Sequence, residues 1–123
     1  MKMKIASIEP NVVRIAMEGD AQGPSADDQS RGLADLLGEG WNAKRVLIDF
    51  SGVRMAGSAA IGWLLVLQRQ FKQGGGKLAL HSMRPEVSRA FKLLKVDSVL
   101  NIFPEEQMAL AALEGQHVEH RAA

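Results

Sequence analysis

The sequence contains no cysteine, which excludes disulfide bridges, thiolate catalysis and cysteine-ligated zinc and fits a reducing compartment. A cytoplasmic location is therefore expected. An excess of charge of either sign is also missing. Fifteen Lys and Arg against 14 Asp and Glu leave a formal charge of +1, so the chain as a whole has no field that would gather nucleic acid or an anionic membrane. Long apolar runs are absent too: the longest, Ile61 to Leu67, falls far short of the roughly 20 residues that span a bilayer. The opening MKMKIASIEP has lysines but no apolar stretch long enough for a signal peptide. No direct membrane insertion is expected.

What the chain does have is the balance of a folded soluble domain. Of its 123 residues 46% are hydrophobic and 24% charged, enough for one core and too few for a second module. We expect a single domain over residues 1–115. The segment QHVEHRAA, residues 116–123, has no periodicity and is expected to be a disordered tail.

Val13, Ile15 and Met17 alternate with Arg14, Ala16 and Glu18, the pattern of a half-buried strand. With Met3 to Ile8 before the Pro10-Asn11 turn, they predict a hairpin at a sheet edge. Pro24 and Ser25, followed by Asp27 and Asp28, mark a helix start, and Gly38 its end. The near-continuous apolar run Val46 to Phe50 predicts a central parallel strand closed by Asp49, Ser51 and Gly52. From Ser58 the spacing turns helical, with Ile61, Leu64, Leu65 and Phe71 expected to face the sheet and Gly74, Gly75 and Gly76 to stop the helix. Leu78 to Leu80 and Val99 to Phe103 read as strands. Pro85 suits the first turn of a helix carrying Val87, Ala90, Phe91 and Leu94, and Pro104 opens a last helix through Leu113. A hairpin followed by alternating helix and strand implies an α/β fold with right-handed crossovers around one mixed sheet.

Four places invite a chemical reading. Ser58 follows a turn and precedes a helix, so its hydroxyl is expected to cap free backbone amides. Ser58, Asp49 and His81 each follow a strand and have the residue types of a serine hydrolase. A nucleophile elbow, however, wants glycine two positions either side of the serine, where this chain has Ala56 and Ala60. Gly74 to Lys77 lacks the spacing of a phosphate loop and joins helix to strand, the wrong order. Glu114, His117, Glu119 and His120 have metal-like side chains but sit at the aperiodic end, where nothing fixes their geometry. No metal site and no cofactor are assigned. Trp63, with Ala59 and Val66 at spacings of four and three, marks an apolar stripe read either as a docking surface or as packing under a loop.

The stretch RVLIDFSGVRMAGSAAIGWLLVLQRQFKQGGGKLALHSMRPEVSRAFKLLKVDSVLNIFPEEQMAL resembles the STAS domain of bacterial anti-sigma factor antagonists. The likeness runs from about Ile15 to Leu113. It rests on the order and spacing of an apolar strand ending in Asp49, the SGV at 51–53, Ser58 opening a helix, the glycine turn, RPEV at 84–87 and PEEQMAL near the end.

The resemblance implies a STAS-like fold, a small mixed sheet with about four helices mainly on one side, and a non-enzymatic binding role in signal transduction. The expected partner is an anti-sigma factor with serine kinase activity, and the consequence is control of sigma-factor-dependent transcription. Family members usually carry Asp-Ser-Ser-Gly before the helix, and the first of those serines is phosphorylated by the partner kinase. Ser58 matches that serine, whereas Gly57, Ala59 and Ala60 replace its neighbours. The resemblance thus implies phosphorylation of Ser58 and a partner surface of Gly57, Ser58, Ala59, Gly62, Trp63 and Val66. A phosphatase and a homodimer through the hairpin edge are compatible with the same reading. The same fold would also serve as an accessory subunit of a lipid or anion transporter, or as a signalling scaffold.

Overall fold

The apolar alternation of the first twenty residues produces a hairpin, and every later strand is added to one side of it. The computed structural model describes residues 2–21 and 33–114. Strand β1 (Lys2–Ile8) runs antiparallel to β2 (Val13–Ala21), joined where the Glu9 amide donates to the Val12 carbonyl at 2.9 Å. Strands β3 (Arg45–Ala56), β4 (Lys77–His81) and β5 (Ile102–Phe103) follow in parallel, giving the order β1-β2-β3-β4-β5. Helix α1 is described over residues 33–37 and ends at Gly38, whose φ of 80° and amide bond to the Ala34 carbonyl close it where the sequence predicts. Its expected start at Pro24 and Ser25 lies outside the described residues, as does the tail 116–123.

Helices α2 (Ser58–Gly74), α3 (Pro85–Leu93, with Pro85 in the first turn) and α4 (Glu106–Leu113) complete the chain. The alternating pleat of the strands sorts side chains onto two faces. One carries Ile15, Met17, Val46, Ile48, Phe50, Leu78 and Leu80, packed in a single core with Leu33 of α1, Trp63, Leu64, Leu67 and Phe71 of α2, and Val87 and Phe91 of α3. The other carries Leu47 and Ala79, which with Val12 pack against Ala109 and Leu113 of α4. The helices lie mainly on one side, as expected. Arg14, on the second face between Val13 and Ile15, pairs with both Glu9 and Glu106 and so ties β2 to the first turn of α4.

Two strand ends and one helix face differ from the sequence reading. Strand β3 does not close at Ser51 and Gly52 but runs on to Ala56, beside β2, through two irregularities in register. Gly52 is a strand residue: a Cβ there would lie 2.9 Å from the Met17 carbonyl oxygen, so the close approach of β2, not a turn, demands glycine. Strand β5 is shorter than the apolar run Val99 to Phe103. A 3-10 turn (Val96–Ser98) takes the amides of Val99 and Leu100 to the Val96 carbonyl instead. Leu65 is only half buried, and Trp63 takes the inner place expected of it.

The glycine triplet that closes α2 serves two purposes. Gly75 adopts φ 84° and returns its amide to the Phe71 carbonyl, ending the helix. Gly76 passes so close to a 3-10 turn (Trp41–Ala43) that a Cβ would lie 2.3 Å from the Lys44 oxygen and 2.5 Å from that of Asn42. Backbone atoms cannot swing aside. Gly76→Ala is therefore expected to lower the unfolding free energy by about 1–3 kcal/mol, read from urea denaturation; unchanged stability would contradict the close approach.

Candidate functional site

Strand β3 overshoots β4, which pairs only with its first half, from Arg45 to Asp49. The chain therefore leaves the sheet at its carboxyl edge, the usual place for sites in parallel sheets. Gly57, extended at φ −88° and ψ −179°, is the residue on which α2 begins, its carbonyl accepting from the Ala60 and Ile61 amides at 3.1 and 3.2 Å. No side chain caps this end. The expectation that Ser58 caps the helix is thus corrected. Ser58 is the first helical residue, one position too late to cap, and it is exposed. The first turn of α2 contains no acidic residue, so the positive end of the helix dipole next to Ser58 is uncompensated within that turn.

Helical spacing of four carries the stripe outward from Ser58 through Gly62 to Val66, which is 40% exposed. Gly57 is half buried behind it. Trp63 does not join this surface. It is fully buried in the main core, because with Ala60, Leu64 and Leu67 it occupies the arc that faces the sheet. Its indole Nε1 has no hydrogen-bond acceptor among the described residues. The expected role of Trp63 as a partner contact is therefore corrected to a core role. The side chain of Ala59 lies outside the described set. The surface that remains is Gly57, Ser58, Gly62 and Val66, with Met55, 50% exposed, at the end of β3.

The hydrolase arrangement is not assembled. Asp49 and His81 face each other across β3 and β4, but on the side of the sheet that α4 covers, whereas Ser58 opens a helix packed on the opposite side. Asp49 accepts the Ser51 amide at 2.8 Å, and His81 Nδ1 lies 2.8 Å from Ser82 Oγ. Burial pushes the His81 imidazole below its ordinary range. The neighbouring Asp49 and Glu106 carboxylates pull it back up, and Arg14 adds to the depression. Glu9, held by Arg14 and Ser7, sits below the usual carboxylate range. The Arg14 cluster carries no signal in the sequence, since Glu9, Arg14 and Glu106 meet only through folding. Among the described residues no group of His, Asp and Glu is arranged to hold a metal ion, and no helix is long and apolar enough to cross a membrane.

The family model described as STAS domain matches residues 3–109. An anti-sigma-factor antagonist (STAS) domain protein from Planctomyces limnophilus is 25% identical, with a TM-score of 0.69 over 91% of this chain and 97% of that one. An anti-sigma factor antagonist from Mycobacterium paratuberculosis superposes with a TM-score of 0.74 at 16% identity, over 92% and 93% of the two chains. Part of the murine anion transporter Slc26a9 also superposes, with a TM-score of 0.69 at 14% identity, over 85% of this chain and 18% of the transporter.

Gly62 has nothing within 4 Å of where a Cβ would sit, so Gly62→Ala should raise stability by about 0.5–1 kcal/mol. A calorimetric midpoint below wild type would show that the helix needs glycine there for its own packing. For His81 the folded value lies below the unfolded one, so the unfolded chain takes up the proton first. The His81 contribution to stability is therefore full above the ordinary value of 6.5 and is lost as the pH falls below it. The urea midpoint should drop on acidification through this range and drop less in His81→Gln; an identical pH slope in the variant would remove His81 as the cause.

Proposed function

The chain belongs to the STAS domain family, and on that premise we propose that it is a non-enzymatic interaction module acting as an anti-sigma factor antagonist. Its partner is an anti-sigma factor with serine kinase activity, which docks on the outward stripe Ser58, Gly62 and Val66. Occupying that partner releases a sigma factor, and phosphorylation of Ser58 reverses the effect.

The observation that carries this reading is the exposed Ser58 at an uncapped helix start whose inner face is fully committed to the core. A kinase can reach the hydroxyl without unfolding anything. The phosphate, with about −1.5 to −2 charges, would lie beside free amides and the positive end of the helix dipole, so the fold tolerates it. A docked partner would instead have to desolvate that charge, which costs several kcal/mol unless a cation meets it. The modification thus removes binding and leaves the domain intact. Gly62 supports the same surface: glycine weakens a helix interior, no neighbour in the chain requires it, and a partner backbone can come close over it.

The superposition on Slc26a9 favours a second reading, in which the same fold serves as an accessory subunit of an anion or lipid transporter. Gly57, Ala59 and Ala60, which replace the family's usual residues around Ser58, suit a constitutive adaptor of this kind.

The test compares wild type, Ser58→Asp and Val66→Glu for affinity to the anti-sigma factor kinase of the native host, together with the melting midpoint of each. Ser58→Asp should weaken binding at least tenfold while holding or raising the midpoint, since an acidic residue in the first turn stabilises a helix by about 0.3–1 kcal/mol. Val66→Glu should weaken binding without loss of fold. Equal affinity for all three overturns the phospho-switched antagonist and leaves the adaptor.

A further inference from the structure

The near-neutral total hides a segregation of charge. Residues 58–98 contain seven Lys and Arg against two Asp and Glu, whereas the rest of the chain contains eight against twelve. Helix α2 has no carboxylate at all. Its Arg69 and Lys72 are exposed and enter none of the ion pairs found among the described residues. Both line a groove of about 530 Å³ with Leu65 and Gln68 of the same helix and Val99 from the connection between α3 and β5. Val99 is 55% exposed, and Leu94, on the other side of the 3-10 turn, 57%. The Gln68 Oε1 atom is buried and has no hydrogen-bond donor among the described residues.

We infer that this groove docks an acidic amphipathic segment of a partner protein. Leu65 and Val99 offer apolar area to the segment's hydrophobic stripe, and burying that area supplies the drive. Arg69 and Lys72 select Glu or Asp on its flanks and disfavour basic sequences. The concave shape separates this occupant from a bilayer, because side chains of a helix can enter a groove between two elements and a flat lipid surface cannot. The inference goes beyond the Ser58 reading and does not depend on it: the groove shares no residue with that stripe, although Leu65 adjoins Val66 along α2.

The test titrates the full isotope-labelled chain with three probes: a synthetic helical peptide with Leu at every third or fourth position and Glu between, its Lys-for-Glu counterpart, and phosphatidylglycerol vesicles. The acidic peptide should move the amide signals of Leu65, Arg69, Lys72 and Val99. Its affinity should fall at least tenfold in Arg69→Glu/Lys72→Glu, and also on raising salt from about 0.1 M to about 1 M, where the screening length shrinks from about 10 to about 3 Å. Arg69→Gln/Lys72→Gln, which only removes the charges, should lie between wild type and the reversal, and both doubles should keep the wild-type melting midpoint because the two side chains are exposed. The inference is overturned if the acidic peptide leaves these signals unmoved, if the basic peptide binds equally well, or if the vesicles move them and the peptide does not.

Discussion

The packing of α2 on the sheet is the constraint from which the rest of the molecule follows. Ala60, Ile61, Trp63, Leu64, Leu67 and Phe71 are all buried, and a fully buried large apolar side chain contributes about 1.5–3 kcal/mol. That total far exceeds the roughly 1–3 kcal/mol set against it by the unpartnered Trp63 indole nitrogen. The helix is therefore not free to tilt or slide in response to a signal. On the proposed reading α2 binds with its outer arc, and phosphorylation there changes the chemistry of the arc rather than its position.

The sheet and its glycines place that arc. By running to Ala56, well past its last partner in β4, strand β3 carries the start of α2 beyond the sheet edge and leaves Ser58 in solvent. Gly52 lets β2 follow closely enough to support the overhang, and Gly76 brings the far end of the helix down onto the turn that holds Trp41. There Trp41 meets Phe71 edge to face at 5.3 Å. On the opposite side of the sheet Arg14 holds the first turn of α4 through Glu106. The two faces thus divide the work: one anchors the helix that presents the surface, and the other is closed by α4 and a small polar cluster.

Much of this was legible in the sequence because the signals were local. Alternation gave β2, Gly38 and Gly75 marked helix ends, Pro85 opened α3, and the order of motifs carried the family likeness that the STAS match over residues 3–109 bears out. What was not legible depends on neighbours. Residues 60–67 are almost wholly apolar, so no polar position fixes which arc of α2 turns inward: Trp63, expected on another face, is fully buried, and Leu65 packs against the core only in part. Ser51 and Gly52 look like a turn in one dimension and are strand in three, because the reason for glycine is the Met17 carbonyl beside it. The cap on Ser58 failed by one residue, because the chain turns into α2 at Gly57 and the serine is already helical. Charge segregation escaped a count over the whole chain and emerged only when the cations were placed on particular helices.

The central claim is that the outward arc of α2, and not its buried one, is what a partner reads. Hydrogen exchange of the full chain, alone and with the proposed partner, an anti-sigma factor kinase, tests it most directly. The account predicts that partner binding slows exchange in the first three turns of α2 and at the end of β3, while the strand amides of β1 and those of α4 are unchanged. Protection confined to the β1 edge or to α4, with α2 unaffected, would contradict it.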